Sequence, residues 1–229
     1  MGKITIAIDG YSSTGKSTIA KQLSKALGYV YVDTGAMYRA VTLYAIRNNL
    51  VGEDNLNVEA VIDELSRIHL KFVPNQLTGK SDMFLNDENV EQEIRTMQVS
   101  RQVSKIAAIK EVREKLVAIQ QQMGIEKAIV MDGRDIGTVV FPDAELKIFM
   151  TASPRARAHR RYKELLDRGD KVTFEEVLNN VQERDHIDST RKESPLRKAQ
   201  GAVEIDNSDM GLEEQLERIL NYARRLIEA

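Results

Sequence analysis

The segment GYSSTGKST at positions 10–18 constrains the fold of this chain more than any other part of the sequence. It contains the pattern G-x-x-x-x-G-K-[ST], which here follows a short apolar run and opens a segment with helical spacing. The two glycines let the backbone curl so that successive N–H groups point at phosphate oxygens, and the helix that follows adds its positive N-terminal end. The segment therefore predicts a loop that binds the phosphates of a nucleotide between a strand and a helix.

Every residue of this loop is expected to contact ATP. Lys16 is expected to reach the β- and γ-phosphates, and the hydroxyl of Ser17 is expected to bind Mg²⁺. The loop comprises Gly10, Tyr11, Ser12, Ser13, Thr14, Gly15, Lys16, Ser17 and Thr18.

Five short apolar runs predict buried strands, at residues 4–9, 29–33, 128–132, 146–150 and 202–206. The runs do not alternate between apolar and polar residues, which is typical of parallel strands covered by helices on both faces. Helical spacing appears at 17–27, 174–181 and 212–227. The chain is therefore predicted to be an α/β protein of the P-loop type, built on a five-stranded parallel sheet.

The segment between the second and third predicted strands, about 36–127, is too long for one crossover helix. Residues 68–73 and 83–85 predict a small antiparallel β insertion, with turns at Pro74-Asn75 and Asn86-Asp87 and with Gly79 between them. A helical pattern from about 99 to 123 leads back towards the third strand. We expect one domain that carries an insertion.

Composition excludes several classes of protein. The formal net charge of the 229 residues is −2, so the basic surplus of a protein that coats nucleic acid is absent. There is no cysteine, which excludes disulfides and thiolate chemistry. No apolar run approaches the roughly 18–20 residues that cross a bilayer, and no signal peptide is recognisable. We expect a cytoplasmic monomer that binds small molecules and neither nucleic acid nor membrane.

A P-loop is shared by small-molecule kinases, GTPase switches and mechanical ATPases. The N-K-x-D segment of a guanine-specific switch is absent from this sequence. Asp132 could imitate the carboxylate that organises metal and water in a motor, but Arg134 follows closely and suits a second anionic ligand. Phosphoryl transfer relies on cations around a spread negative charge, so arginines near strand ends favour a kinase. These are Arg39, Arg134, Arg155, Arg157, Arg160, Arg161, Arg184 and Arg191.

The sequence resembles the cytidylate kinase family, in its longer bacterial-type form, over nearly its whole length. The resemblance is carried by IAIDG at 6–10 with the loop that follows, DTGAMYR at 33–39, DGRDIGTVVFP at 132–142, AHRR at 158–161 and ERD at 183–185. It implies a nucleoside monophosphate kinase of pyrimidine metabolism that transfers the γ-phosphoryl group of ATP to CMP or dCMP with Mg²⁺. It also implies the strand order 2-3-1-4-5 for the five core strands.

The resemblance further implies a core at 1–35, 124–152 and 171–229, an acceptor-binding region at 36–123 and a lid at 153–170. The implied contacts with CMP come from Thr34, Arg39, Ser104, Arg113, Arg134, Asp135, Arg184, Asp188 and Arg191. Arg157 and Arg161 are the implied lid contacts with ATP, and with Lys16 and Arg134 they are expected to stabilise the transferred charge. Three positions depart from the family pattern: Tyr11 replaces a frequent Pro, Thr34 a usual Ser, and Ser17 a Gly found in some members.

Several readings stay open. Asp9 either caps a strand end or takes part in catalysis, and Asp135 either reads the base or orients Arg134. The three histidines, at 69, 159 and 186, lack carboxylates at metal-ligand spacing and are expected to be structural. The competing functions are a P-loop ATPase or nucleotide-binding regulator, and a kinase of another small acceptor such as shikimate.

Overall fold

The computed structural model describes residues 2–76 and 80–228, so Gly79 of the predicted insertion lies outside the described residues. The strands are β1 (Thr5–Gly10), β2 (Val30–Asp33), β3 (Leu70–Asn75), β4 (Lys80–Leu85), β5 (Glu88–Asn89), β6 (Ile129–Gly133), β7 (Leu146–Thr151) and β8 (Val203–Asp206). The α-helices are α1 (Lys16–Leu27), α2 (Thr34–Arg47), α3 (Val58–Glu64), α4 (Met97–Ala107), α5 (Lys110–Met123), α6 (Pro154–Asp167), α7 (Phe174–Thr190) and α8 (Leu212–Glu228). A π-helical turn, Ile136–Val140, follows β6.

The chain divides into two compact units. The first comprises Met1–Thr34 and Val117–Ala229, and the second comprises Gly35–Leu116. The first unit contains a five-stranded sheet in the order β2-β6-β1-β7-β8, and every neighbouring pair of its strands is parallel. The predicted sheet and its strand order are confirmed, and each strand lies within one residue of its predicted bounds.

The central strand β1 explains why this sheet is stable. Ile4, Ile6 and Ile8 point to one face, where they pack in a cluster with residues of α1 and α8. Thr5, Ala7 and Asp9 point to the other face and are also buried. Fully burying one isoleucine side chain contributes about 1.5–3 kcal/mol, so a strand covered on both faces holds the sheet firmly. The absence of alternation in the sequence is thereby explained.

Helix α7 is longer than predicted. It begins with a capping box, in which Thr173 and Glu176 satisfy each other's backbone N–H groups, and it continues to Thr190 rather than to residue 181. The extra turns carry mostly polar residues, so their spacing gave no apolar signal. These turns matter for the site because they contain Arg184 and Asp188.

The second unit contains a three-stranded antiparallel sheet in the order β3-β4-β5. The predicted insertion is confirmed, but the predicted turn at Pro74-Asn75 is wrong, because both residues belong to β3 and pair with β4. Proline is tolerated there because β3 lies at the edge of the described sheet. The turn at Asn86-Asp87 is confirmed, with φ angles of 47° and 69°. Strand β5 is only two residues long and was not predicted.

The single helical pattern predicted from about 99 to 123 is also corrected. The segment forms two helices, α4 and α5, which are separated at Ala108 and Ile109. No proline or glycine marks this break, so residue type alone does not reveal it. In the part of the chain that the structure describes, no helix has both the length and the apolar character needed to cross a membrane.

Candidate active site

The glycine-bounded loop joins β1 to α1 and can be built only with glycine at its first position. Gly10 has a φ angle of 146°, and a Cβ atom there would overlap the carbonyl oxygen of Met150 on β7. Gly15 has a φ angle of 89° and immediately precedes α1. Both conformations are rare for residues with a side chain. The loop therefore curls as the sequence pattern predicts.

Lys16 is buried inside this loop. Its Nζ donates a hydrogen bond to the carbonyl oxygen of Tyr11 at 2.5 Å and another to Oγ1 of Thr14 at 3.3 Å. Burial, with the nearby positive charge of Arg134, holds the pKa of Lys16 well below its usual value. Burial disfavours the charged form of this ammonium, and a bound anion would stabilise that form. The loop is therefore suited to a phosphate group.

The hydroxyl of Ser17 lies beside the carboxylate of Asp132, which ends the neighbouring strand β6. Oγ of Ser17 donates to Oδ2 of Asp132 at 3.0 Å, and the phenol of Tyr31 on β2 donates to Oδ1 at 2.7 Å. Burial and the adjacent Asp33 raise the pKa of Asp132. The carboxylate is thus oriented by a hydroxyl on each side.

This pair of oxygen ligands fits Mg²⁺. Mg²⁺ in kinases is typically held by one or two protein oxygens together with substrate phosphates, and hydroxyl and carboxylate oxygens are the hard ligands that it prefers. Among the described residues there is no cluster of three or more His, Asp or Glu side chains that could hold a metal ion by itself. The donors present are those expected for an ion that arrives with a nucleotide.

A second group of charges lies beyond the end of β6. Nε of Arg134 donates to Oδ2 of Asp188 at 2.9 Å, and Nη1 of Arg191 lies 3.8 Å from Oδ1 of the same carboxylate. Burial opposes the charge of Asp188, but Arg134, Arg184 and Arg191 outweigh it and lower the pKa of this carboxyl group. The structure therefore brings three of the predicted acceptor-binding arginines together around a fourth predicted residue, the buried carboxylate of Asp188.

Thr34 and Asp135 lie at the same end of β6 as Arg134. Oγ1 of Thr34 donates to the carbonyl oxygen of Asp132 at 2.7 Å, so the hydroxyl is already engaged at the end of β6. Asp135 is buried and immediately precedes the π-helical turn. Both residues are therefore held at the sheet edge where Arg134 emerges.

Arg157 contacts the glycine-bounded loop at 10–18. Its Nη1 donates to the carbonyl oxygen of Ser12 at 3.1 Å, and its Nη2 pairs with Asp185 on α7 at 2.6 Å. The guanidinium carbon also lies 5.2 Å from the centre of the Tyr11 ring, within the range of a cation–π interaction. Arg161, one turn further along α6, pairs with Glu164 at 2.8 Å. The predicted contacts of both arginines with ATP stay predictions.

The remaining predicted residues lie in the second unit. Arg113 on α5 is buried, donates to the carbonyl oxygen of Ala107 at 3.0 Å, and lies 5.3 Å from the centre of the Tyr38 ring. Ser104 on α4 is buried, and Arg39 on α2 is half-buried. Their predicted contacts with CMP stay predictions.

Sequence reasoning missed a polar network behind the loop. The side chain of Asn207, which follows β8, donates to the carbonyl oxygen of Thr14 at 2.7 Å and to Gln215 at 2.7 Å. Arg160 completes the network by donating to Oδ1 of Asn207 at 2.9 Å. The position of Asn207 just after a predicted strand end was the available signal, since polar residues at such ends serve ligand sites.

We expect Asn207→Ala to weaken both the fold and the loop. The substitution removes the hydrogen bonds that the Asn207 side chain makes with the carbonyl oxygen of Thr14, with Gln215 and with Nη1 of Arg160. Nη2 of Arg160 keeps its bond to the main-chain carbonyl of residue 207. Each buried polar group that loses its partner costs about 1–3 kcal/mol, so the free energy of unfolding should fall by about 2 kcal/mol. Denaturant unfolding measures this loss, and Asp209→Ala, at an exposed position two residues away, is the control. Equal stability of both variants would contradict the stabilising role of the Asn207 side chain.

Comparison with known proteins agrees with this geometry. A family model described as cytidylate kinase matches residues 6–225. The cytidylate kinase of Flavobacterium johnsoniae is 60% identical over 227 residues, which are 99% of each chain. The cytidylate kinase of Bacteroides fragilis is 54% identical over 229 residues and is covered completely. A solved gluconokinase from Sinorhizobium meliloti 1021 matches 99% of this chain and 94% of its own with a TM-score of 0.51 and 14% identity, which indicates a shared fold alone.

Proposed function

Because the chain belongs to the cytidylate kinase family, we propose that it transfers the γ-phosphoryl group of ATP to CMP and dCMP, giving ADP and CDP or dCDP. One observation supports this proposal above all. The loop that surrounds Lys16 and the arginine group around Asp188 both begin where adjacent strands end, since Asp9 of β1 pairs in register with Gly133 of β6. Two phosphorylated ligands can therefore meet at one edge of the sheet.

In this proposal the main-chain N–H groups of residues 10–18 and the ammonium of Lys16 bind the β- and γ-phosphates of ATP. The positive end of α1 adds to their attraction. Ser17 and Asp132 would hold Mg²⁺, which would supply charge neutralisation on the transferred phosphoryl group. Burial of Lys16 strengthens its interaction with the phosphates, because water does not screen it.

The acceptor phosphate is assigned to Arg134 and Arg191. Asp188 orients these guanidinium groups through its carboxylate, at 2.9 Å from Arg134 and 3.8 Å from Arg191. The attacking oxygen of CMP already carries a negative charge, so no strong general base is required. Transfer then depends on in-line positioning and on cations around the equatorial oxygens. We expect Arg157 and Arg161 to add to this charge once the lid at 153–170 has closed and excluded water.

Asp135 is proposed to read the base. A carboxylate that accepts a hydrogen bond from the exocyclic amine of cytosine discriminates against uracil, because uracil presents a carbonyl oxygen where cytosine presents a donor. Arg39, Ser104 and Arg113 belong to the acceptor-binding region in the same proposal. A monomeric state and a cytoplasmic location stay predictions.

An acceptor panel tests the proposal. Purified protein is supplied with ATP and Mg²⁺ and, in separate reactions, with CMP, dCMP, UMP, AMP, GMP, shikimate or no acceptor, and ADP formation is followed. We expect rapid ADP formation with CMP and dCMP alone. Faster turnover with UMP, AMP, GMP or shikimate than with CMP would contradict the proposed acceptor, and steady hydrolysis without any acceptor would favour an ATPase.

A further inference from the structure

The carboxylate of Asp9 caps the π-helical turn that follows β6. Oδ1 accepts a hydrogen bond from the N–H of Ile136 at 2.8 Å, and Oδ2 accepts one from the N–H of Gly137 at 2.7 Å. These are the first two N–H groups of the turn, which have no carbonyl partner within it. The carboxylate therefore satisfies two donors at once, and its negative charge suits the positive end of the turn.

The main chain of Asp9 holds the other end of the same connection. Asp9 pairs in register with Gly133, the last residue of β6. Only Arg134 and Asp135 lie between Gly133 and Ile136. One residue thus anchors both ends of a two-residue span, through its backbone on one side and its side chain on the other. Both residues of this span are predicted to contact CMP.

The space around the turn leaves little freedom. A Cβ atom added to Gly137 would lie 3.4 Å from Oδ2 of Asp9, 3.3 Å from Cβ of Ala199 and 3.4 Å from Cδ of Lys147. Asp9 itself is only 3% exposed. A change in the Asp9 side chain cannot be absorbed by solvent, so it must be transmitted to the turn.

We propose that Asp9 is a positioning residue, which fixes Arg134 and Asp135 for the acceptor nucleotide by clamping the span that carries them. This proposal rests on the proposed binding of CMP by Arg134 and Asp135. It resolves the open reading of Asp9 in favour of a cap, but the element that is capped is the π-helical turn rather than the strand end. Asp9 acts on the acceptor through other residues and is not expected to contact it.

The charge of Asp9 adds support and supplies a distinctive readout. Burial raises its pKa to about 7, although the two backbone hydrogen bonds and Lys16 oppose the change. The charged groups that face it are Lys16 of α1 and Asp135 before the turn, with Lys147 of β7 nearby. The ionised carboxylate accepts both N–H bonds more strongly than the protonated form, because protonation removes the negative charge and weakens the hydroxyl oxygen as an acceptor. Acceptor binding should therefore weaken as the pH falls through 7.

The variant Asp9→Asn tests the clamp with little change in shape. Its amide keeps one acceptor oxygen but turns an NH₂ group towards the second N–H, so one charge-assisted hydrogen bond is lost. We expect the Kd of CMP, measured by calorimetry, to rise by roughly tenfold or more at pH 8. The Kd of ATP should change by less than about threefold, because this carboxylate accepts its two hydrogen bonds from the N–H groups of the turn. Hydrogen exchange of the Ile136 and Gly137 amides should quicken while the sheet amides stay protected.

Thr138→Val is the matched control. Thr138 lies in the same turn, and its Oγ1 is buried without a hydrogen-bond partner in the described part of the chain. Valine preserves its shape, so CMP binding and exchange at the turn should stay unchanged. If Asp9→Asn binds CMP as tightly as the unaltered protein, or if CMP and ATP binding fall equally, the clamp is contradicted. If the unaltered protein itself does not bind CMP, the proposed function fails instead.

The pH profile provides a second, independent readout. The phosphate of CMP ionises near pH 6 and affects binding in every variant. Between pH 8 and pH 6 the unaltered protein should lose CMP affinity more steeply than Asp9→Asn does, because Asp9 becomes protonated only in the former. Parallel profiles for the two proteins would contradict the role of the Asp9 charge.

Discussion

Replacement of Lys16 by methionine is expected to lower kcat for CMP phosphorylation by about 10³-fold. The ammonium of Lys16 is buried inside the glycine-bounded loop at 10–18, within hydrogen-bonding distance of Tyr11 and Thr14. Methionine has a similar length and fills the same space without charge. The lost attraction should be largest where negative charge develops during transfer, so kcat should fall more than the affinity for CMP.

The fold of the Lys16→Met variant should survive. Because burial and Arg134 hold the pKa of Lys16 well below its usual value, the charged side chain is a cost to the folded state in the absence of nucleotide. Its removal should leave the melting temperature unchanged or raise it. Lys25→Met is the control, since Lys25 is exposed near the end of the same helix and should retain full activity. A Lys16→Met variant with kcat within tenfold of the unaltered protein would contradict the role assigned to this ammonium.

Replacement of Arg134 by methionine is the second large change. It removes the cation assigned to the acceptor phosphate and also the nearest partner of the buried Asp188 carboxylate. We expect kcat/KM for CMP to fall by about 10³-fold, because cationic clamps on phosphoryl groups carry much of the catalysis in kinases. Breaking a buried ion pair on one side costs about 3–5 kcal/mol. A loss near 3 kcal/mol is expected here, since Arg191 stays near the carboxylate.

A double variant separates these two effects. In Arg134→Met with Asp188→Leu, the unpaired carboxylate is removed as well, so part of the stability should return. The return should be incomplete, because the buried Arg191 loses its carboxylate partner and keeps its hydrogen bonds to the carbonyl oxygen of Ser194. Activity with CMP should not return, because neither the cation nor the carboxylate is restored. Recovery of both stability and activity would show that Arg134 acts on the fold alone. Chemical denaturation and steady-state kinetics on the single and double variants distinguish these outcomes.

The strands of the main sheet were predictable because each one is marked by its own short apolar run. Each core strand is a short apolar run, and burial on both faces leaves no alternation in the sequence. The antiparallel insertion was less predictable. Pro74 indicates a turn by residue type, yet it lies in β3, where an edge strand has no need of its missing N–H. The break between α4 and α5 contains no helix-breaking residue, so only packing decides it.

The residues of the site also divide into those that the sequence indicates and those that only the structure reveals. Residues that bind by type and position, such as Lys16 in its loop and Arg134 after β6, were recognisable in the sequence. The roles of residues that orient other side chains were not recognisable, because their partners are distant in the chain. Tyr31 lies 101 residues from Asp132, and Asn207 lies 193 residues from Thr14. The carboxylate of Asp9 contacts the turn at Ile136, which is 127 residues away in the chain, and no local pattern predicts such a contact.

A crystal structure with CMP and a non-hydrolysable imido analogue of ATP is the most direct test of the central claim, that two nucleotides meet at one edge of the sheet. We expect the β- and γ-phosphates within hydrogen-bonding distance of Nζ of Lys16, and the CMP phosphate on the guanidinium of Arg134. The ends of β1 and β6 would then lie beneath the two phosphate groups. A complex with CMP bound elsewhere, or with no triphosphate in the loop at 10–18, would contradict the account.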